Sequence, residues 1–202
     1  MKTKPILFST DMVQANLDGR KTNTRRIIDE KHYGFLEYAF KNKKNLVDWI
    51  SKNAKYQMED VLWVRETFQQ TIMTKSGNKA FLFKADLDLF DPEIVSWSPS
   101  IHMPKEAARM FLKILNVRVE RVQDISNEDA IAEGIEYIGD IRDSAIFRNY
   151  MRPGKEKQFD YGFPHNSFSS LWEKINGKAS WKQNPFVWVY EYQIIEKPEN
   201  FI

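Results

Sequence analysis

The densest chemistry in the chain lies in Gly19-Arg20-Lys21-Thr22-Asn23-Thr24-Arg25-Arg26, where an amine, two hydroxyls and three guanidiniums fall within eight positions. In extended backbone Thr22 and Thr24 point to one side and Lys21, Asn23 and Arg25 to the other. A turn at Lys21 would bring its amine round to the threonine side. Such a set suits nucleophilic or general-base chemistry: a hydroxyl needs an adjacent base to attack, and a lysine stripped of water among arginines loses its proton more readily. It equally suits a basic edge strand that contacts phosphate, and residue types alone leave both readings open.

Other positions could join it. Glu133 is expected at the end of a helix, just before Gly134. The negative end of the helix dipole there slightly disfavours a charged carboxylate, the direction a proton-shuttling acid needs, although a solvated end residue is the simpler reading. His102 sits among small hydroxyls in Ser98-Pro99-Ser100-Ile101-His102-Met103-Pro104 and is read as a hydrogen-bonded structural residue or a catalyst. Arg65-Glu66, ending an apolar run, can form an internal ion pair or orient a polar ligand. The alternating Phe186, Trp188, Tyr190, Tyr192 and Ile194 read as core packing more simply than as base stacking.

The elements that must position these groups follow from pattern. Pro5-Ile6-Leu7-Phe8 reads as an opening strand. Ser9, Thr10 and Asp11 supply N-cap chemistry for a helix over 11–18, which Gly19 ends in the left-handed conformation. Residues 20–28 favour extended backbone. Residues 31–56 mix aromatics with lysines and are expected to form a partly helical excursion with a helix over 46–53. Strands are expected over 61–65 and 80–84, and a long curved one over 110–122. Prolines 92, 99 and 104 break the stretch between into loop. Ser126 and Asp129 form a capping box opening a helix that ends at Glu133. Residues 137–165 are polar and read as a long loop. Phe168, Leu171, Trp172 and Ile175 define an amphipathic helix closed by Gly177, and a strand over 186–195 follows.

The fold class is α+β, a compact mixed sheet or small barrel, because strands and helices interleave irregularly. None of the eight glycines falls in GxGxxG or GxxxxGK[ST], so a doubly wound nucleotide fold is not expected.

With 202 residues, 42% hydrophobic and 29% charged, the chain can bury a substantial core. It has no cysteine, which excludes disulfides, thiolate nucleophiles, Cys-ligated zinc and iron–sulfur clusters. Its histidines, His32, His102 and His165, are too widely spaced for a helical metal pair. The three-residue apolar run Ile6-Leu7-Phe8 is too short for a signal-peptide core, and no stretch approaches the ~20 apolar residues of a membrane span, so a cytoplasmic location without a membrane partner is expected. Residues 1–55 carry 12 Lys/Arg against 6 Asp/Glu, whereas the remainder carries 18 against 22. An anionic partner is expected at the basic end; Lys41, Lys43, Lys44, Lys52 and Lys55 read as surface solvation.

Taken together, these segments resemble the ASCH family, whose members adopt a PUA-like β-barrel. The resemblance rests on Pro5-Ile6-Leu7-Phe8, the Gly19 to Arg26 block, Leu62-Trp63-Val64-Arg65-Glu66 and Pro99-Ser100-Ile101-His102-Met103-Pro104. It continues through Asp124-Ile125-Ser126, Ala132-Glu133-Gly134, Ser180-Trp181 and Asn184-Pro185-Phe186-Val187-Trp188-Val189. The blocks are collinear, span nearly the whole chain and are most similar to larger members encoded in bacteriophages and prophages. Two positions depart: Glu59-Asp60 replaces a glycine–aspartate turn, and Lys105-Glu106 stands where Arg-Trp is expected, removing an aromatic stacking group.

The resemblance implies a single domain over 1–202, with insertions near 31–56 and 137–165, and an RNA or modified-nucleoside partner. A small bacterial relative is an amidohydrolase of N(4)-acetylcytidine that uses a lysine, a threonine and a glutamate, matching Lys21, Thr24 and Glu133 here. Other relatives are ribonucleases or RNA-binding modules. On this reading Thr22, Arg25, Arg65, Glu66 and His102 contact substrate, while Arg20, Arg26, Lys105 and Arg109 contact nucleic acid. The chemistry requires neither a metal nor an organic cofactor.

Overall fold

The computed structural model describes residues 3–72, 79–89, 96–151 and 162–201. Pro92 and the Pro153-Gly154 pair fall outside them. Strand β1 (Thr3–Leu7) leads into helix α1 (Thr10–Leu17), whose first turn is capped by the Ser9 side chain accepting from the Met12 N–H. Helix α1 ends as expected. Gly19 has φ +71°, and the N–H groups of Gly19 and Arg20 return to the carbonyls of Asn16 and Ala15, which satisfies the helix end and turns the chain sharply. That turn delivers Lys21 to the start of β2 (Asn23–Ile27).

Helices α2 (Tyr33–Lys41) and α3 (Val47–Asn53) make up the expected excursion. Their aromatic side chains cover the final strand: Trp49 stacks on Trp188, and Tyr33 and Phe40 pack against Phe186. Strand β3 (Val61–Arg65) follows, then a hairpin of β4 (Phe68–Ile72) and β5 (Lys79–Phe83). Strand β4 has no counterpart in the sequence expectations, because Phe68-Gln69-Gln70-Thr71-Ile72 carries little apolar alternation. Strand β6 (Phe111–Arg121) precedes α4 (Asn127–Ala132), capped by Ser126.

Residues 137–165 are corrected in part. They open with a hairpin, β7 (Tyr137–Ile141) and β8 (Ser144–Phe147), instead of loop. Arg142 and Asp143 both take positive φ at its turn, a two-residue geometry that Asn-Gly pairs usually advertise and that this pair conceals. Helix α5 (Pro164–Asn176) and strand β9 (Phe186–Ile195) complete the chain.

The main sheet has the order β1-β3-β6-β9-β2. Strands β1 and β3 are parallel and the other neighbours antiparallel. Among the described residues no backbone ladder joins β1 to β2, so the expected closed barrel is not formed by hydrogen-bonded strands. A side chain spans that seam: Arg26 of β2 donates to the Leu7 carbonyl of β1 at 3.0 Å.

Strand β9 is buried on both faces, which explains its near-continuous apolar sequence. Phe186, Trp188, Tyr190 and Tyr192 face the inside of the curved sheet with Leu62, Val64, Leu112 and Ile114. Val187 and Val189 face outward onto Phe168, Leu171 and Trp172 of α5. The aromatic stripe is therefore core, as its simpler reading had it, except that Ile194 at its end is exposed.

Candidate functional site

Lys21 and Glu133 are joined by the way α4 docks. The two residues form an isolated antiparallel bridge, with the Thr22 N–H donating to the Ala132 carbonyl at 2.8 Å and Arg20 Nη1 to the Gly134 carbonyl at 2.6 Å. Gly134 permits the approach. It has φ +88°, and a Cβ there would lie 2.8 Å from the Ala15 Cβ and 2.9 Å from the Lys21 Cβ.

The Lys21 side chain is buried. Its Nζ donates to the Asn23 carbonyl at 2.7 Å, the Glu133 carbonyl at 2.9 Å and Glu133 Oε2 at 2.7 Å, so an ammonium there uses all three protons. Burial pushes the Lys21 pKa below that of a free lysine, against the opposing pull of the Glu133 carboxylate, and the nearby Arg26 and Arg25 add to the downward shift. Removal of water outweighs the single carboxylate.

Glu133 also takes a hydrogen bond from Arg25, Nη1 to Oε1 at 3.0 Å. Arg25 is held on three sides, since its Nε donates to Glu120 at 2.8 Å and its Nη2 to Asp129 at 2.8 Å. Burial acts against the charge of Arg25, but Glu133, Glu120 and Asp129 more than offset it and raise its pKa. The arginine is thus a fixed strut that locks the Glu133 carboxylate beside the lysine. Asp129 is expected from the sequence only as the capping-box partner of Ser126, and Glu120 not as a site residue at all; strand alternation in β6 and helix phase in α4 give their faces but not their shared partner, Arg25.

A cavity of about 490 Å³ opens over this group, a volume usual for small-molecule sites. Lys21, Arg25, Arg26 and Glu133 line its polar part. Phe8 and Met12 form one wall and Phe168, Leu171, Trp172 and Ile175 of α5 another, with Ser9, Thr67, Ser100 and Asn176 supplying scattered polar groups. The pattern Phe168/Leu171/Trp172/Ile175 identified the apolar face of α5, but nothing in the sequence told that part of this face borders a cavity.

The other expected site residues are dispersed. Thr24 is fully buried on β2, its Oγ1 has no hydrogen-bond partner, and it is absent from the cavity lining. Thr22 is exposed, and it too lies outside the lining. His102 is exposed on a 3₁₀ turn (Ser100–His102), whereas its neighbour Ser100 lines the cavity. Arg65 and Glu66 do not pair with each other. Glu66 is buried against Arg109 in a two-bond pair, 2.9 Å at each contact, and burial raises its pKa despite that partner. Arg65 donates to the Ile101 carbonyl and lies over the Trp63 ring.

The expected phosphate-gripping set does not form a free cationic stripe. Arg20 is engaged by Asp18 and the Gly134 carbonyl, Arg26 by the Leu7 and Arg25 carbonyls, and Arg109 by Glu66 and Asp86. Lys105 sits 4.5 Å from the centre of the Phe201 ring. Strand alternation and charge counts do not reveal such local neutralisation. No helix among the described residues is long and apolar enough to cross a membrane.

No family model and no curated protein sequence matches the chain. Among solved structures it is similar to one described as the ASCH domain from Lactobacillus crispatus JV V101, at 11% identity over 97% of this chain and 81% of that one, with a TM-score of 0.37. It is also similar to a protein from Enterococcus faecalis V583 described under the family model DUF984, at 8% identity over 97% of this chain and 77% of that one, with a TM-score of 0.38. The first carries the name of the family that the collinear sequence blocks resemble.

Proposed function

We propose that the chain is a hydrolase that removes an acyl group from the exocyclic nitrogen of a cytidine-type nucleoside, with Lys21 as base and Glu133 as proton shuttle. The observation that carries this reading is the buried Lys21–Glu133 pair, 2.7 Å apart, lining a cavity with aromatic walls. Amide hydrolysis needs a base that is neutral near physiological pH, and desolvation moves Lys21 in that direction. Water is the nucleophile in this scheme, because Thr24 does not line the cavity.

Neutral Lys21 takes a proton from the water as its oxygen bonds to the acyl carbon. The oxyanion forms near the Arg26 guanidinium, which lines the same cavity. Collapse breaks the carbon–nitrogen bond, and the proton held by Lys21 passes by way of Glu133 to the departing nitrogen. The products are cytidine, its exocyclic amine restored, and a carboxylic acid. Arg25 keeps the shuttle in place by binding Glu133 Oε1. In this reading the whole chain is one PUA-like unit, in which residues 31–56 and 137–165 are insertions on a curved sheet.

The test is incubation of the protein and its Lys21→Ala variant with a panel of N(4)-acylated cytidines, following cytidine release by mass spectrometry and folding by circular dichroism. Release by the parent and none by a folded variant is expected. Release by both, or by neither, overturns the assignment.

A further inference from the structure

A second cavity, about 380 Å³, lies along the open seam of the sheet. Leu7, Arg26 and Ile27 line both it and the larger cavity, so the two adjoin along these residues. Its own floor is aromatic, formed by Tyr56, Trp188 and Tyr190, and its rim carries Lys55 and Arg65. No aspartate or glutamate is among the residues lining it. That composition is the reverse of the Arg25 cluster, where each cation meets a carboxylate.

Among the described residues neither rim cation is paired with a carboxylate, and the two differ in exposure. Lys55 is exposed, with its amine 5.2 Å from the centre of the Tyr56 ring. The Arg65 Nε is buried and has no hydrogen-bond partner, although its Nη2 is held by the Ile101 carbonyl. The Nε itself has almost no accessible surface, so what an anion in the cavity meets is the positive charge of the Arg65 guanidinium as a whole. Lys55 thereby acquires a place beyond the surface solvation read from its type.

We infer that this seam cavity is a phosphate subsite, so that the substrate is a nucleotide whose base occupies the larger cavity and whose phosphate is held by Lys55 and Arg65. The inference rests on reading the larger cavity as a nucleoside site, and it narrows the substrate from a free nucleoside to a phosphorylated one. A phosphate matches this lining, because a guanidinium and an ammonium both bind anionic oxygens with charge-assisted hydrogen bonds.

Isothermal titration calorimetry with cytidine and with its 5′- and 3′-monophosphates tests this without requiring turnover. At least one monophosphate is expected to bind about tenfold tighter than cytidine, the equivalent of one charge-assisted hydrogen bond, and the advantage is expected to shrink as salt is raised. Lys55→Glu should abolish the advantage and leave cytidine affinity unchanged; Arg65→Gln should reduce it. Equal affinities, a preference that survives Lys55→Glu, or no binding by any of the three compounds would overturn the inference. The acyl-cytidine assay fails separately: a protein that prefers the monophosphate but deacylates nothing keeps the subsite and loses the hydrolase reading, and deacylation without a phosphate preference does the reverse.

Discussion

Gly134→Ala places one methyl group where α1, α4 and Lys21 converge. Two costs combine. An alanine at φ +88° is in the left-handed region, worth roughly 1–2 kcal/mol. Its Cβ would also lie 2.8 Å from the Ala15 Cβ and 2.9 Å from the Lys21 Cβ, atoms close to the backbone that cannot swing aside, and overpacking of this kind costs roughly 1–3 kcal/mol. The sum is about 2–5 kcal/mol. For a chain of this size Tm moves about 2–4 °C per kcal/mol, so a fall of roughly 4–20 °C is expected. Gly19→Ala separates the two costs, since Gly19 has φ +71° but nothing within 4 Å of its would-be Cβ; it should lose only the conformational part, roughly 1–2 kcal/mol. Urea unfolding of both variants against the parent gives the difference directly. If Gly134→Ala is no more destabilising than Gly19→Ala, the close docking of α4 on Lys21 is wrong, and with it the geometry of the Lys21–Glu133 pair.

Lys21→Met tests the desolvated lysine through pH. Because burial lowers the folded-state pKa of Lys21, the unfolded chain binds its proton more readily in the window between that value and the ordinary 10.5. Stability from this group therefore rises with pH across that window. The parent should gain on the variant as pH is raised towards 10 in urea titrations, and parallel curves would refute the shift; the buried Tyr190 and Tyr192, whose pKa values are also displaced, are common to both proteins and cancel. Ser126→Ala removes the side-chain acceptor of the Asp129 N–H at the start of α4 and should cost about 1 kcal/mol, read from the urea midpoint, with an unchanged m-value.

Much of the local structure was legible in the residues. Ser9 and Gly19 bracket α1 because capping and left-handed turns are decided within a few positions, and the same holds for Ser126 at α4. A continuous apolar run placed β3 and alternation placed β6 and β9, because buried and half-buried strands carry their environment in their side chains. Where that local signal weakens, the reading failed: Gln69 and Gln70 hide β4, and Arg142-Asp143 hide the turn between β7 and β8.

The site divides the same way. The sequence alone determined that a lysine, hydroxyls and arginines would leave a helix cap together, and that a glutamate would end a later helix, because those are facts of neighbouring residues. Only the tertiary structure decided that Arg25 is neutralised by Glu120, Asp129 and Glu133, that Thr24 is turned away from the cavity lining while α5 supplies its aromatic wall, and that Lys55 and Arg65 face a seam without carboxylates. Arg25 and Glu133 are 108 positions apart. Whether such a cation is spent within the protein or left for a ligand depends on which distant carboxylates the fold brings within about 3 Å, and no local pattern encodes that distance.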